Sequence, residues 1–131
     1  MASSAITSYR DLKVWQDAMA LAEACYRETH AFPREEMFGL TAQIRRAAVS
    51  VAANIAEGHG RGTAGAFVQF LRTAQGSLQG SLKELEAHLL LSGRIGFAAT
   101  AAVDALLARC DEIGRMLPAL IRSLQSTAQG R

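Results

Sequence analysis

Apolar residues recur every three or four positions through four separate segments, and this periodicity restricts the chain to helices. The cleanest stripe is Val103, Leu106, Cys110, Ile113, Leu117, Leu120 and Leu124, in a helix expected to open near Thr100. Phe67, Leu71, Ala74, Leu78, Leu82, Leu85 and Leu89 keep the same spacing. Their helix should be capped by Thr63 and stopped after about Ser92 by Gly93 and Gly96. Met37, Leu40, Ile44, Ala47, Val51 and Ile55 mark a helix from about Arg34 to Gly58. Leu12, Trp15, Met19, Ala22 and Tyr26 mark one from about Asp11 to Thr29. Alternating β-branched runs bounded by turn signals are absent, so strands are not expected.

The breaks have physical causes. Asp11 or Ser8 is placed to cap the first helix. Phe32-Pro33 ends it, because proline disfavours helical geometry in the residue before it. Gly58, His59, Gly60, Arg61 and Gly62 read as a loop, with Gly58 as a left-handed C-terminal cap. Pro118 removes a hydrogen bond to Gly114 inside the fourth helix and predicts a kink or a break there. The expected fold is all-α, an antiparallel up-down-up-down four-helix bundle over residues 11–125. Residues 1–10 and 126–131 are expected to be flexible ends.

Several functions are disfavoured. No basic segment precedes an apolar block at the start, and no stretch approaches the roughly 18 apolar residues of a spanning helix, so a cytoplasmic protein without membrane contact is expected. Cys25 and Cys110 lie far apart without CxxC spacing and read as reduced, packed thiols. His30, His59 and His88 are isolated; Glu84 and His88 stand four apart, but no second Glu-x-x-His completes a di-iron pattern. The GHGRG glycines match neither the P-loop nor the GxGxxG fingerprint. The expectation is a non-enzyme with no catalytic residue, cofactor or metal.

The second helix carries more apolar surface than one bundle needs. Between Arg46 and Glu57 it has no charge. At 100° per residue, Ile44, Val51 and Ile55 face one way while Val49, Ala52, Ala53 and Ala56 fall opposite, where water is expected. A polar stripe of Gln43, Arg46, Ser50, Asn54 and Glu57 runs between them. On the third helix Gly76 and Gly80 sit on the rear face with Thr73 and Ser77, at a cost of roughly 0.8–1.0 kcal/mol each relative to alanine. Close approach of a second copy explains both choices; a solvated, alanine-rich surface is the plainer alternative. On the first reading, Gln43, Val49, Ser50, Ala52, Ala53, Asn54, Ala56, Glu57, Gly76 and Gly80 form the interface of a ring or barrel homo-oligomer.

Charge adds a partner. The net charge is only +2, but Arg72, Lys83 and Arg94 are spaced by eleven, which nearly closes three helical turns and aligns them on one edge. No acid occurs from Gly58 through Lys83. Repeated around a ring, such an edge suits the phosphates of RNA or DNA. The candidate nucleic-acid contacts are Arg45, Arg46, Arg61, Arg72, Lys83 and Arg94, with Arg46 alternatively serving the subunit contact. The competing reading is a structural oligomer that binds another protein instead.

Four pieces of the chain carry a resemblance: DLKVWQDA (Asp11–Ala18), FPREEMFGLTAQIRRAAVSVAANIAEGHGR (Phe32–Arg61), FLRTAQGS (Phe70–Ser77) and GSLKELEAHLLLSGRIGF (Gly80–Phe97). Together they resemble the four-helix-bundle proteins of bacterial 23S rRNA intervening sequences, a family that includes the accessory variability protein of diversity-generating retroelements. The resemblance implies a pentameric barrel and, for the retroelement relatives, nucleic-acid binding beside a reverse transcriptase. It implies that Gln43, Arg45, Arg46, Ser50, Asn54, Glu57, Gly58 and Arg61 form a shared core-and-interface motif. One departure stands out: the family shows one Gly-Ser-Leu before Glu-Leu-Glu, whereas QGSLQGSL has two, four residues and about 40° of helix rotation apart.

Overall fold

The computed structural model describes residues 8–129, the last two as helix backbone only. Four helices form: α1 (Lys13–Thr29), α2 (Leu40–His59), α3 (Ala64–Arg94) and α4 (Thr100–Gln129). Short 3-10 turns at Tyr9–Asp11 and Arg34–Glu36 precede α1 and α2, and no strand occurs among the described residues. α1 packs on α2, α2 on α3, α3 on α4 and α4 on α1, so the helices enclose one core. Ile44, Val51, Ile55, Leu71, Leu78, Leu82, Leu85, Leu89, Ile113 and Leu117 are fully buried in it.

The ends follow from local chemistry. Ser8 caps the first 3-10 turn, accepting from the Arg10 amide at 3.1 Å, while Asp11 reaches back to the Ser8 amide at 3.3 Å. Both expected capping residues therefore act, but on this turn; α1 itself begins after Leu12. Thr63 caps α3 through the Ala66 amide at 3.1 Å, and the helix continues two residues past Ser92 before Gly96 adopts a φ of +84°.

α2 starts later than its periodicity suggests. Arg34–Glu36 turns as 3-10 helix, and the Glu36 carboxylate caps the Leu40 amide at 3.0 Å. A side chain on Gly39 would meet that carboxylate at 2.8 Å, so the glycine makes room for the cap. Met37 and Phe38 consequently lie outside the helix, 52% and 91% exposed, and Met37 does not join the core.

Gly58 is not a left-handed cap. It is buried within α2, and a Cβ there would stand 2.6 Å from the Phe70 ring and 3.0 Å from that of Phe67. Glycine is needed at this position for close approach of α3; the positive φ of the connection belongs to Gly62.

α1 buries only part of the expected face: Leu12 and Ala22 are buried as expected, and Trp15 packs partly buried against the core. Val14, Ala18, Leu21, Ala22 and Cys25 are buried, whereas Met19 and Tyr26 are 36% and 46% exposed. Two stripes with three-four spacing run side by side on this helix, and the smaller side chains take the core.

α4 is continuous through Pro118, so no break occurs. The Gly114 carbonyl, which proline deprives of its helical donor, accepts instead from Gln79 Nε2 of α3 at 2.9 Å. The helix extends through Gln129, and residues 130–131 of the expected flexible tail lie outside the described residues.

Candidate functional site

α2 carries two flanks and an outer face. On the α1 flank, Arg45 Nε donates to Thr29 Oγ1 at 2.9 Å and its guanidinium lies 4.5 Å from the Tyr26 ring centroid. Thr29 is buried, and its hydroxyl donates to the Cys25 carbonyl at 2.7 Å. Arg45 thereby joins α1 to α2, which explains Arg and Tyr at these positions without any ligand.

The polar stripe is satisfied mostly within α2 itself. Ser50 donates to the Ala47 carbonyl at 2.8 Å, Asn54 to the Ser50 carbonyl at 2.7 Å, and Arg46 to Gln43 Oε1 at 3.1 Å. Glu57 pairs with Arg61 at 3.3 Å. Gln43, Arg46 and Ser50 border a shallow groove against Ser81 and Glu84 of α3. The stripe thus follows the α2–α3 seam, with Ser50 and Asn54 turned back onto their own backbone and the charged members paired with side chains of the same segment.

On the outer face, Val49 is 42% exposed, Ala53 is exposed and Ala56 half-buried. Ala52 departs from the expected set: at 3% exposure it packs inside the bundle and takes no part in that face. Its place lies on the α1 side, where the wheel angle from the core is only about 80°. Val49 instead meets Met19 and Tyr26 across an apolar groove of about 410 Å³ that also includes Ala22, Glu23 and Arg27. The sequence pattern missed Met19 and Tyr26 here because it assigned them to the core.

On α3, a Cβ at Gly76 or at Gly80 would meet nothing within 4 Å, so both glycines face open space in the single chain. Leu78 and Leu82 are both buried, so the two Gly-Ser-Leu units repeat in register.

The six candidate basic residues do not form one cluster. Arg61 stacks 4.7 Å from the Phe70 ring beside the α2–α3 connection. Arg72, Lys83 and Arg94 are all exposed along α3. The Gln125 amide of α4 lies against the Arg72 guanidinium, and its oxygen accepts from Arg72, with Nε at 3.2 Å, once the amide is turned to face it. Lys83 pairs with Glu86 at 3.3 Å.

Burial pushes both thiols, Cys25 and Cys110, up to about 12, far from nucleophilic readiness. His88 Nε2 is buried without a hydrogen-bond partner, and the Glu84 carboxylate stands 3.7 Å away. No three His, Cys, Asp or Glu side chains converge as metal ligands among the described residues. None of the described helices is long and apolar enough to cross a membrane.

These features define an all-helical bundle protein whose second helix leaves an uncharged outer face and whose third helix carries a basic edge. The chain belongs to the family described as 23S rRNA-intervening sequence protein, which matches residues 10–119. The match covers all four pieces that carry the resemblance and continues into α4 as far as Pro118 and Ala119. A search of the curated proteins returns no match.

Proposed function

We propose that this protein is a non-enzymatic homo-oligomer of antiparallel four-helix bundles, a pentameric ring in the simplest form, that binds RNA or DNA without sequence preference. The observation that carries the oligomer is the outer face of α2, where Val49 and Ala53 stand exposed beside Met19 and Tyr26 with no charge between Arg46 and Glu57. A sister subunit covering this face removes apolar area from water at about 25 cal/mol per Å². The open glycines of α3, Gly76 and Gly80, let a neighbouring backbone approach closely. Short connections between successive helices favour the antiparallel order.

Nucleic-acid binding follows from the α3 edge of Arg72, Lys83 and Arg94, with Arg61 at its start, multiplied by the number of subunits. Arg46, bonded only to the neutral Gln43, remains available to a phosphate or to the subunit contact. Arg45 is held by Thr29 and Tyr26 and serves the fold. No base-reading element accompanies these cations, so affinity comes from phosphate neutralisation. The family's link to rRNA insertions makes RNA metabolism in the cytoplasm the natural setting, with a reverse transcriptase as a protein partner. Binding of labelled RNA, measured across a salt series, should weaken steeply as salt rises; a flat response contradicts the reading. Absence of any shift at high protein concentration would favour an interaction scaffold instead.

A further inference from the structure

Acids and bases are divided unevenly along the α3–α4 pair. From Gly58 to Lys83 the chain holds Arg61, Arg72 and Lys83 and no acid; from Ile113 to Gln129 it holds Arg115 and Arg122 and no acid. Contacts between the helices bring these two stretches together. Gln79 of α3 donates to the Gly114 carbonyl of α4, and Gln125 of α4 accepts from Arg72 of α3. The acids of the same helices begin at the edge of these stretches: Glu86 pairs with Lys83 at 3.3 Å and Asp111 with Arg115 at 2.7 Å, in the groove that also holds Gln79 and Gly114, while Asp104 lies toward the end where Gly93 of α3 meets Val103 of α4.

Within the acid-free half, Arg72 and Arg122 are exposed and neither has a carboxylate within 4.0 Å among the described residues. Arg115 and Arg122 are seven residues apart, so they stand nearly in line on α4 over about 10 Å. Arg72 and Lys83 form a second row of about 16 Å on α3. Arg115 pairs with Asp111 at 2.7 Å, but their side chains are 73% and 61% exposed. An exposed pair of this kind is worth only about 0–1 kcal/mol, so an incoming phosphate can displace it.

We propose that this seam is a phosphate track for a polynucleotide backbone, with Arg72 and Arg122 as its anchors and Lys83 and Arg115 extending it. The proposal rests on the nucleic-acid reading above and adds residues of α4 to it. A neutral amide, Gln125, orients the Arg72 guanidinium without neutralising it, which leaves its charge for the ligand.

The test uses the full-length protein and a fluorescein-labelled oligouridylate of about 20 nucleotides, titrated from about 50 mM salt upward. Arg72→Gln with Arg122→Gln should weaken binding at least about tenfold and lower the slope of log K against log salt by about 1.4, or 0.7 per lost phosphate contact. Arg34→Gln with Arg109→Gln makes the same charge change on exposed residues outside the acid-free half and should cost less than about twofold. Arg122→Gln alone removes a side chain with no hydrogen bond among the described residues and should weaken binding by about threefold, which separates the effect from misfolding. Equal losses in the two double variants would overturn the proposal, as would retained affinity in Arg72→Gln/Arg122→Gln; either result leaves nucleic-acid binding standing at another surface. Displacement of the oligouridylate by polyglutamate at equal charge would assign the track to an acidic protein and overturn it as well. No binding by the unaltered protein would remove the proposal and the nucleic-acid reading together.

Discussion

Replacing Gln79 by alanine isolates the contact that lets α4 pass through Pro118. The Gln79 amide donates at 2.9 Å to the Gly114 carbonyl, which has lost its helical donor to proline. Removing one partner of a buried hydrogen bond costs about 1–3 kcal/mol. Gly114 is only half-buried, so about 1–2 kcal/mol is expected, equivalent to a fall of about 3–8 °C in Tm for a chain of this size. The decisive assay is a double-mutant cycle with Pro118→Ala in urea, at one fixed protein concentration because assembly couples stability to concentration. Alanine at 118 restores the N–H that Gly114 lacks, so Gln79→Ala should then cost less by at least about 0.5 kcal/mol. Additive losses would refute the idea that Gln79 substitutes for the missing helix bond. A space-filling role for the glutamine would remain, since a Cβ at Gly114 would lie 3.2 Å from Gln79 Oε1.

Gly58→Ala should destabilise the bundle by about 1–3 kcal/mol in urea denaturation, because its methyl must displace the rings of Phe67 and Phe70; an unchanged midpoint would show that those rings move freely. Both buried thiols are pushed up to about 12, so the folded protein keeps them protonated while the unfolded chain ionises near 9. The unfolded state then binds fewer protons, and stability should fall as pH rises from about 9 toward 12, by up to about 1.4 kcal/mol per thiol per pH unit. Cys25→Ala with Cys110→Ala should flatten that fall in alkaline denaturation. Val49→Glu and Ala53→Glu put charge on the outer face of α2 and should yield smaller particles in size-exclusion chromatography without loss of helix content by circular dichroism.

The core stripes of α3 and α4 could be read almost residue by residue, because most of their large aliphatic side chains fall on one face, although Val68 and Ile121 also joined the core and Leu90 and Leu91 stayed exposed. α1 could not, since Trp15, Met19 and Tyr26 compete with Val14, Ala18, Leu21 and Cys25 at the same periodicity, and packing decides between them. The start of α2 depended on a side-chain cap from Glu36, and the role of Gly58 on rings twelve or fewer residues away in sequence but on another helix. Neither relation has a local signature. The spacing of Arg72, Lys83 and Arg94 was visible in sequence; that Arg72 points toward Gln125, and so toward Arg122, required the packing of α3 on α4. Ala52 shows the limit of wheel angles, which locate a face but not the neighbour that covers its margin.

The central claim is that the uncharged outer face of α2 is covered by another copy of this chain, and the mass of the particle in solution tests it most directly. Light scattering coupled to size-exclusion chromatography should give a whole-number multiple of the 14.0 kDa chain, five-fold in the proposed ring. A particle of 14.0 kDa that persists across micromolar concentrations would contradict the claim.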